Sequence, residues 1–380
     1  MIPPGSTLGI LGGGQLGRMT AMAARQLGYR VFVLDPRVHC SAAGVVDGVV
    51  AADFDDAEAA ARLAVQVDVV TLEIEKIGAD AAAAVQARAP MRPAPSVLTT
   101  IQDRAVQRAW LARHGFPQGP WRAATGAAEM RAAAEALGGR CRAKATRGGY
   151  DGRGQAPLPT PADAEAAFEA LGGAPAVVEQ ELDLAAELSV MVARRPSGGT
   201  AVFPPARNLH TDSILDISHI PAALPQELEA RARGIADAIA DAIGLEGVLA
   251  VELFLTVSGE LLVNELAPRP HNTFHATELA CETSQFEQLV RAACDLPLGS
   301  TRLVQPVALA NLLGDLWAQG PPPFERVLQM EGVHLHLYDK KPRPKRKVGH
   351  LLATGATVEE AVARVRKARA MLARSEPEQR

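Results

Sequence analysis

The sequence predicts a mixed α/β and α+β fold in three segments, 1–98, 99–300 and 301–380. Three observations carry that prediction. Between residues 7 and 72, short apolar runs alternate with stretches of helical spacing, the pattern of a parallel sheet with helices on its faces. From about 100 to 300 the alternation gives way to helices interspersed with neighbouring strands. The proline-marked stretch Ala89-Pro90-Met91-Arg92-Pro93-Ala94-Pro95 separates the two patterns and reads as a boundary.

Thr7 to Leu11 is an apolar run ending in glycines, and Gln15 to Leu27 carries Leu16, Met19 and Ala23 at helical spacing until Gly28 stops it. Arg30 to Asp35 is a buried-strand run, and an alanine-rich helix near 55–66 feeds another at 67–72. Helices are predicted near 103–114 and 126–137, before a glycine-rich loop at 148–154. Strands follow near 176–181 and 187–195, then a helix at 225–243. Two strands at 247–255 and 260–266 flank a turn at Ser258-Gly259, and a helix at 283–294 closes the middle segment. The last segment holds a strand at 334–338, a basic cluster and a final amphipathic helix.

Composition excludes several function classes. A net charge of −4 with 22% charged residues leaves no electrostatic footprint for nucleic acid. No run approaches the roughly 18 apolar residues of a membrane span. The start, Met1-Ile2-Pro3-Pro4-Gly5, lacks the basic region of a signal peptide. Cys40, Cys141, Cys281 and Cys294 show neither CxxC nor a disulfide framework. The expectation is a soluble cytoplasmic protein with neither nucleic acid nor membrane as partner. Only seven of the 39 basic residues are lysine, and four of those fall between Lys340 and Lys347. Against that background a lysine marks a place where a compact ammonium is wanted instead of a guanidinium.

Gly12-x-Gly14-x-x-Gly17, between strand and helix and followed by Asp35, matches the dinucleotide fingerprint. A backbone turn at a helix N-terminus also receives other phosphates and carboxylates, and glycines there also permit close strand–helix packing. The second motif, Lys144-Ala145-Thr146-Arg147-Gly148-Gly149-Tyr150-Asp151-Gly152-Arg153-Gly154-Gln155, places four glycines in a flap whose amides can close over phosphate oxygens. Lys144 lies just before it, an ammonium within reach of the same oxygens.

The 247–255 and 260–266 strands each carry an acid mid-run. An even-length turn centred on Ser258-Gly259 pairs residues whose numbers sum to 517, which sets Glu252 opposite Glu265 on one face. An odd-length loop or a bulge would change that register. Like charges opposed in an apolar sheet call for a cation between them, and hard oxygens suit Mg²⁺, with Mn²⁺ as an alternative. Ala267-Pro268-Arg269-Pro270-His271-Asn272 follows, and a proline-flanked arginine there can orient a small planar anion bidentately.

Lys144 with its flap, Glu179-Gln180-Glu181-Leu182, Glu187, Glu252 and Asn264-Glu265 resemble the ATP-grasp fold. More narrowly, Gly12 to Met19, Gly148 to Gln155, Asn264 to Asn272 and Arg346-Lys347-Val348-Gly349-His350 resemble the N5-carboxyaminoimidazole ribonucleotide synthase family, in order along nearly the whole chain. The resemblance implies a Rossmann-like domain over 1–98, a two-subdomain ATP-grasp core over 99–300 and a small C-terminal domain over 301–380 that contributes to the substrate site. It implies a homodimer that joins bicarbonate to the ATP γ-phosphate and passes the carboxyl group to 5-aminoimidazole ribonucleotide.

On that resemblance, ATP contacts Arg104, Lys144, Gly149, Tyr150, Asp151, Gly152, Arg153, Gly154, Gln155, Glu179, Gln180, Glu181, Leu182, Glu187, His210, Asn264 and Glu265. Glu252 and Glu265 hold Mg²⁺, and Arg269, His271 and Lys340 form the catalytic set. The ribonucleotide contacts Gly14, Gln15, Leu16, Glu73, Tyr150, Asp151, Arg153, Lys340, Arg343, Arg346 and Lys347. For its phosphate, two anion sites stand open, the Gly12–Gly17 turn and the Lys340–Lys347 cluster; both can face one phosphate if the third segment folds back on the first. Three positions depart from the family's pattern: Thr273-Phe274-His275 replaces Ser-Gly-His, Lys345 replaces a glycine, and Arg207 stands where an acid is common.

Overall fold

The structure, a computed structural model, describes residues 1–149 and 154–373. The predicted contacts Tyr150, Asp151, Gly152 and Arg153 lie outside the described residues.

Strands β1 (Thr7–Leu11), β2 (Arg30–Asp35), β3 (Gly48–Ala51) and β4 (Val69–Leu72) form a wholly parallel sheet in the order β3-β2-β1-β4. The last four residues of the central strand β1 are buried, and so is all of the edge strand β4, whose outer side is covered by the chain at 90–92. The proline-marked stretch is no free linker. It runs beside β4, with Val70 N donating to Pro90 O at 2.9 Å and Arg92 N to Val70 O at 2.8 Å. Pro95 then opens the Pro95–Gln102 helix at its first turn, where the missing N–H costs nothing.

The second sheet is antiparallel, with β5 (Trp121–Ala124), β6 (Cys141–Ala145), β7 (Gln155–Leu158) and β8 (Ala176–Gln180) in the order β5-β8-β6-β7. The glycine-rich flap is the β6–β7 connection, and Lys144 sits at its root, paired with Gln155.

A third sheet carries nine strands: β9 (Leu184–Arg194), β10 (Thr200–Val202), β11 (Ala206–Thr211), β12 (Ile214–Ile220), β13 (Gly247–Thr256), β14 (Leu261–Ala267), β15 (Val307–Leu313), β16 (Val333–Leu337) and β17 (Lys347–Thr354). Its path is β14-β13-β9-β11-β12-β15-β17-β16, with β10 on β9. Helix Gln226–Ala242 buries Ala232, Ala236, Ile239 and Ala240 against Val190, Leu249 and Val251 of the sheet. Helix Val358–Leu372 buries Ala361, Val365, Ala368 and Leu372 against β15 and β17. Each fully buried Val or Leu in these layers contributes roughly 1.5–3 kcal/mol. The pairing of β12 with β15 carries the sheet across position 300 without a break.

The hairpin register departs from expectation in a revealing way. Its loop is odd, because Thr256 N bonds Glu260 O and Gly259 occupies φ +85°, which gives a three-residue connection. Leu255 therefore pairs with Leu261 and Leu253 with Val263, one step off the even-turn register. A β-bulge at Asn264 takes up that step, and Glu252 pairs with Glu265 after all.

Candidate active site

The bulge decides which side chains reach the site. In a regular strand Asn264 and Glu265 face opposite sides, whereas a bulge sets both against one residue of the partner strand. Asn264 Nδ2 donates to Glu252 Oε2 at 3.1 Å, Lys144 Nζ donates to Asn264 Oδ1 at 3.2 Å, and Arg104 Nη1 meets Glu265 Oε2 at 2.7 Å. Burial and the facing Glu265 push Glu252 up to about 7. Glu265 is also withdrawn from water, but the Arg104 guanidinium outweighs that and holds it below the usual range. Two carboxylates and an amide oxygen, with like charge across the strands, fit a hard divalent cation.

Lys144 is held from the other side. Its Nζ lies 2.6 Å from Glu179 Oε2, and Arg108 binds the same carboxylate through Nε at 2.9 Å and through Nη2. Burial opposes ionisation of Glu179, yet the two cations win and its carboxyl sits at about 2. Glu179 thus serves by side chain as the anchor of Lys144. In the Gln180–Leu182 stretch, Glu181 pairs with Arg140 at 3.0 Å and Arg142 at 3.1 Å. Glu187 Oε2 receives His210 Nδ1 at 3.1 Å; burial opposes the imidazolium, but Glu187 and Glu252 raise the His210 pKa.

Arg269 and His271 stand beyond the carboxylate pair. His271 Nε2 lies 3.3 Å from Glu252 Oε1, while its Nδ1 meets Thr273 Oγ1 at 2.9 Å. The His271 backbone is pinned by Gln285, which accepts from its N–H at 2.8 Å and donates to its carbonyl at 2.9 Å. Arg269 Nε lies 2.7 Å from Glu75 Oε1, on the loop after β4.

The first glycine turn is filled by the chain itself. Glu73 Oε2 accepts the Gly17 N–H, and a Cβ at Gly14 would stand 2.2 Å from Glu73 Oε1. The glycines make room for that carboxylate. Asp35, which a dinucleotide ribose would need, is 2% exposed and accepts from Gly13 N at 3.0 Å and Arg37 N at 2.9 Å. A dinucleotide reading fails on both counts. Leu16 turns into a small core with Phe286 and Tyr338. Gln15 Oε1 accepts from Lys340, and Ser41 Oγ donates to Tyr338 O, so the third segment does fold back on the first. Burial lowers Lys340 to about 8 against the pull of Glu73. Arg343 is exposed; Arg346 and Lys347 are half-buried beside it, with Arg346 O fixed by Gly314 N at 2.8 Å.

Family models match three successive stretches: a ribonucleotide synthetase preATP-grasp domain over residues 5–102, an ATP-grasp domain over 109–286 and a phosphoribosylaminoimidazole carboxylase C-terminal domain over 308–364. The N5-carboxyaminoimidazole ribonucleotide synthase of Brucella melitensis is 42% identical over 353 residues, 92% of this chain and 96% of that protein. The chain belongs to the N5-carboxyaminoimidazole ribonucleotide synthase family. It is an ATP-grasp carbon–nitrogen ligase. The Bacillus subtilis synthase is 39% identical over 355 residues, 92% of each chain. Among solved structures, an N5-carboxyaminoimidazole ribonucleotide synthetase in complex with ADP superposes with TM-score 0.92 at 39% identity, covering 97% of both chains. The Aspergillus clavatus synthase in complex with ADP and 5-aminoimidazole ribonucleotide gives TM-score 0.90 at 30% identity, covering 97% of this chain and 98% of that one.

Departures from the synthase family's pattern have local accounts. Phe274 is fully buried, 6.2 Å from Phe203, so its ring fills core and leaves the loop free. Lys345 sits at φ +59°, the left-handed region where the family's glycine is strain-free. Arg207 bonds the Ala185 carbonyl at 3.2 Å.

Sequence reasoning missed Arg108 and Glu75, whose partners lie far along the chain, and a histidine cluster behind the substrate loop. In that cluster His350 stacks on His336 at 4.5 Å and 8° and lies 4.8 Å from His275, while Tyr338 Oη meets His350 Nδ1 at 2.6 Å. Burial holds His275 and His350 well below the usual imidazole range, so both are neutral packing elements. Glu278, His336 and His350 offer ligand atoms within 4.8 Å of one another. The His336 and His350 rings are stacked in near-parallel planes, so their in-plane lone pairs cannot meet at one ion in this arrangement.

Proposed function

We propose that the chain carboxylates 5-aminoimidazole ribonucleotide to N5-carboxyaminoimidazole ribonucleotide at the expense of ATP and bicarbonate, releasing ADP and phosphate, in de novo purine biosynthesis. The observation that carries this reading is the opposed pair Glu252 and Glu265, with Lys144 and Arg104 on one side and His271 on the other. Family membership and the ADP and ribonucleotide named for related structures support it.

Lys144, Arg104 and the flap at 149–155 receive the ATP phosphates. The Glu179–Leu182 segment borders the adenine, and Glu187 with His210 takes the ribose. Glu252 and Glu265 would hold Mg²⁺, with Asn264 beside them, and the ion would supply positive charge where phosphoryl charge moves. A bicarbonate oxygen, oriented by Arg269 and His271, attacks the γ-phosphorus, and the bond to ADP breaks. Carboxyphosphate forms and hydrolyses readily, so the flap must exclude water. The 5-amino nitrogen then bonds the carboxyl carbon, either of carboxyphosphate with loss of phosphate or of the CO₂ that carboxyphosphate releases along with phosphate, and the nitrogen gives up a proton. Glu73, Gly14, Gln15, the Leu16 backbone, Tyr150, Asp151, Arg153, Lys340, Arg343, Arg346 and Lys347 hold the ribonucleotide, and Lys340 also faces the chemistry.

The same reading places the three domains at 1–98, 99–300 and 301–380, in a cytoplasmic homodimer. No helix among the described residues is long and apolar enough to cross a membrane. ADP release measured with and without bicarbonate and ribonucleotide tests the assignment. Release should require both, and release that ignores both would refute it.

A further inference from the structure

We propose that Glu75 is a positioning residue for Arg269, setting the guanidinium in the orientation that receives the small planar anion. The proposal rests on the carboxylation reading above and adds a residue to it. Arg269 follows β14 between Pro268 and Pro270, which stiffen its backbone and leave its side-chain torsions unrestrained. Glu75 supplies the missing restraint. Its Oε1 lies 2.7 Å from Arg269 Nε, and Arg269 Nη1 donates to Pro270 O at 3.1 Å.

Glu75 flanks the Nε side as an ion-pair partner without taking a hydrogen bond from Nε, and the terminal edge of the guanidinium keeps N–H groups for a two-oxygen anion. Parallel donors on that edge match bicarbonate or the carboxyl end of carboxyphosphate. Were the Nε edge open, the anion could bind side-on, and its carbon would face a different direction.

Glu75 is itself fixed. The Gln102 side chain, at the end of the Pro95–Gln102 helix, donates to the carbonyls of Glu75 and, at 2.7 Å, of Ile77. The pair is partly sheltered, with side-chain exposures of 21% for Arg269 and 24% for Glu75. Glu73 and Glu265 also act on Arg269 electrostatically, but Glu75 is the carboxylate that touches it. Glu73 lies two residues earlier, in the glycine turn, so one short segment serves both the cradle and the arginine.

The test is steady-state kinetics of Glu75→Gln and Glu75→Asp, alone and in an Arg269→Lys background, with thermal melting to confirm folding. Glu75→Gln should raise the bicarbonate KM about tenfold, a magnitude suited to losing the charge of one partly sheltered ion pair, with the ATP KM changed less than about twofold. Glu75→Asp, which keeps the charge on a shorter arm, should fall between Glu75→Gln and the unaltered enzyme. In the Arg269→Lys background Glu75→Gln should add less than about twofold, because positioning through Arg269 is already lost. An unchanged bicarbonate KM in Glu75→Gln, or a full additional effect in the Arg269→Lys background, overturns this proposal alone. Bicarbonate-independent ADP release by the unaltered enzyme overturns the carboxylation reading and this proposal together.

Discussion

Glu179 and Glu252 are both glutamates within strands, both mostly withdrawn from water, and they titrate at opposite ends of the carboxylate range. Glu179, with 12% of its side chain exposed, lies between Lys144 and Arg108 and sits at about 2. Glu252, with 24% exposed, faces Glu265 and sits at about 7. Burial pushes both upward, so burial cannot separate them; the sign of the neighbouring charge does. Where the fold supplies its own cations, the carboxylate is a fixture that aims Lys144. Where it sets acid against acid, Arg104 satisfies Glu265 while Glu252 stays raised, and the proposed cation would bind there.

The largest test removes the opposed charge. Glu265→Gln should cut Mg²⁺-dependent turnover by roughly a thousandfold or more, about 4 kcal/mol, with the melting temperature nearly unchanged. Activity close to that of the unaltered enzyme would break the contrast at its functional end. The next test attacks the fixture. Arg108→Ala leaves the buried Glu179 with one cation and should cost about 3 kcal/mol of stability, read from denaturant unfolding. Glu179 has a folded pKa below its ordinary 4.5, so its stabilisation is present above 4.5 and is lost as pH falls toward 2. The variant should therefore lose part of its acid-limb stability difference.

Glu252 gives the opposite sign. Its folded pKa lies above its ordinary 4.5, so its contribution is present below 4.5 and is lost as pH rises to about 7. Ligand-free protein should lose about 2 kcal/mol between pH 5 and pH 8, and Glu252→Gln should flatten that slope in thermal or denaturant melts. A slope unaffected by Glu252→Gln would remove Glu252 as its source. The smallest effect concerns the cations of the third segment. Lys347→Ala should raise the ribonucleotide KM about tenfold, about 1.4 kcal/mol, and the ATP KM less. The reverse ordering would move Lys347 to the nucleotide.

What could be read from sequence was whatever local pattern determines. The parallel sheet, the flap with Lys144 at its root, and the facing of Glu252 and Glu265 all follow from runs of a dozen residues. The facing came out right although the even-turn premise was wrong, since the loop has three residues and the bulge cancels the one-step shift it causes. The occupant of the first glycine turn was not legible, because a fingerprint specifies a backbone shape and says nothing of which carboxylate enters it. Arg108 with Glu179 and Arg269 with Glu75 were invisible for a related reason. Each joins residues that only the finished fold brings together, and neither has a spacing to betray it.

The bulge at Asn264 has one more consequence, for how this site tolerates change in length. Losing one residue from a buried strand normally throws every later side chain onto the wrong face. At Asn264 it would not, because Val263 already pairs with Leu253 and Glu265 with Glu252 on either side of the extra residue. Deleting it closes the ladder and leaves the carboxylates in phase. The amide that bridges Lys144 and Glu252 thus stands outside the register that keeps the two acids facing.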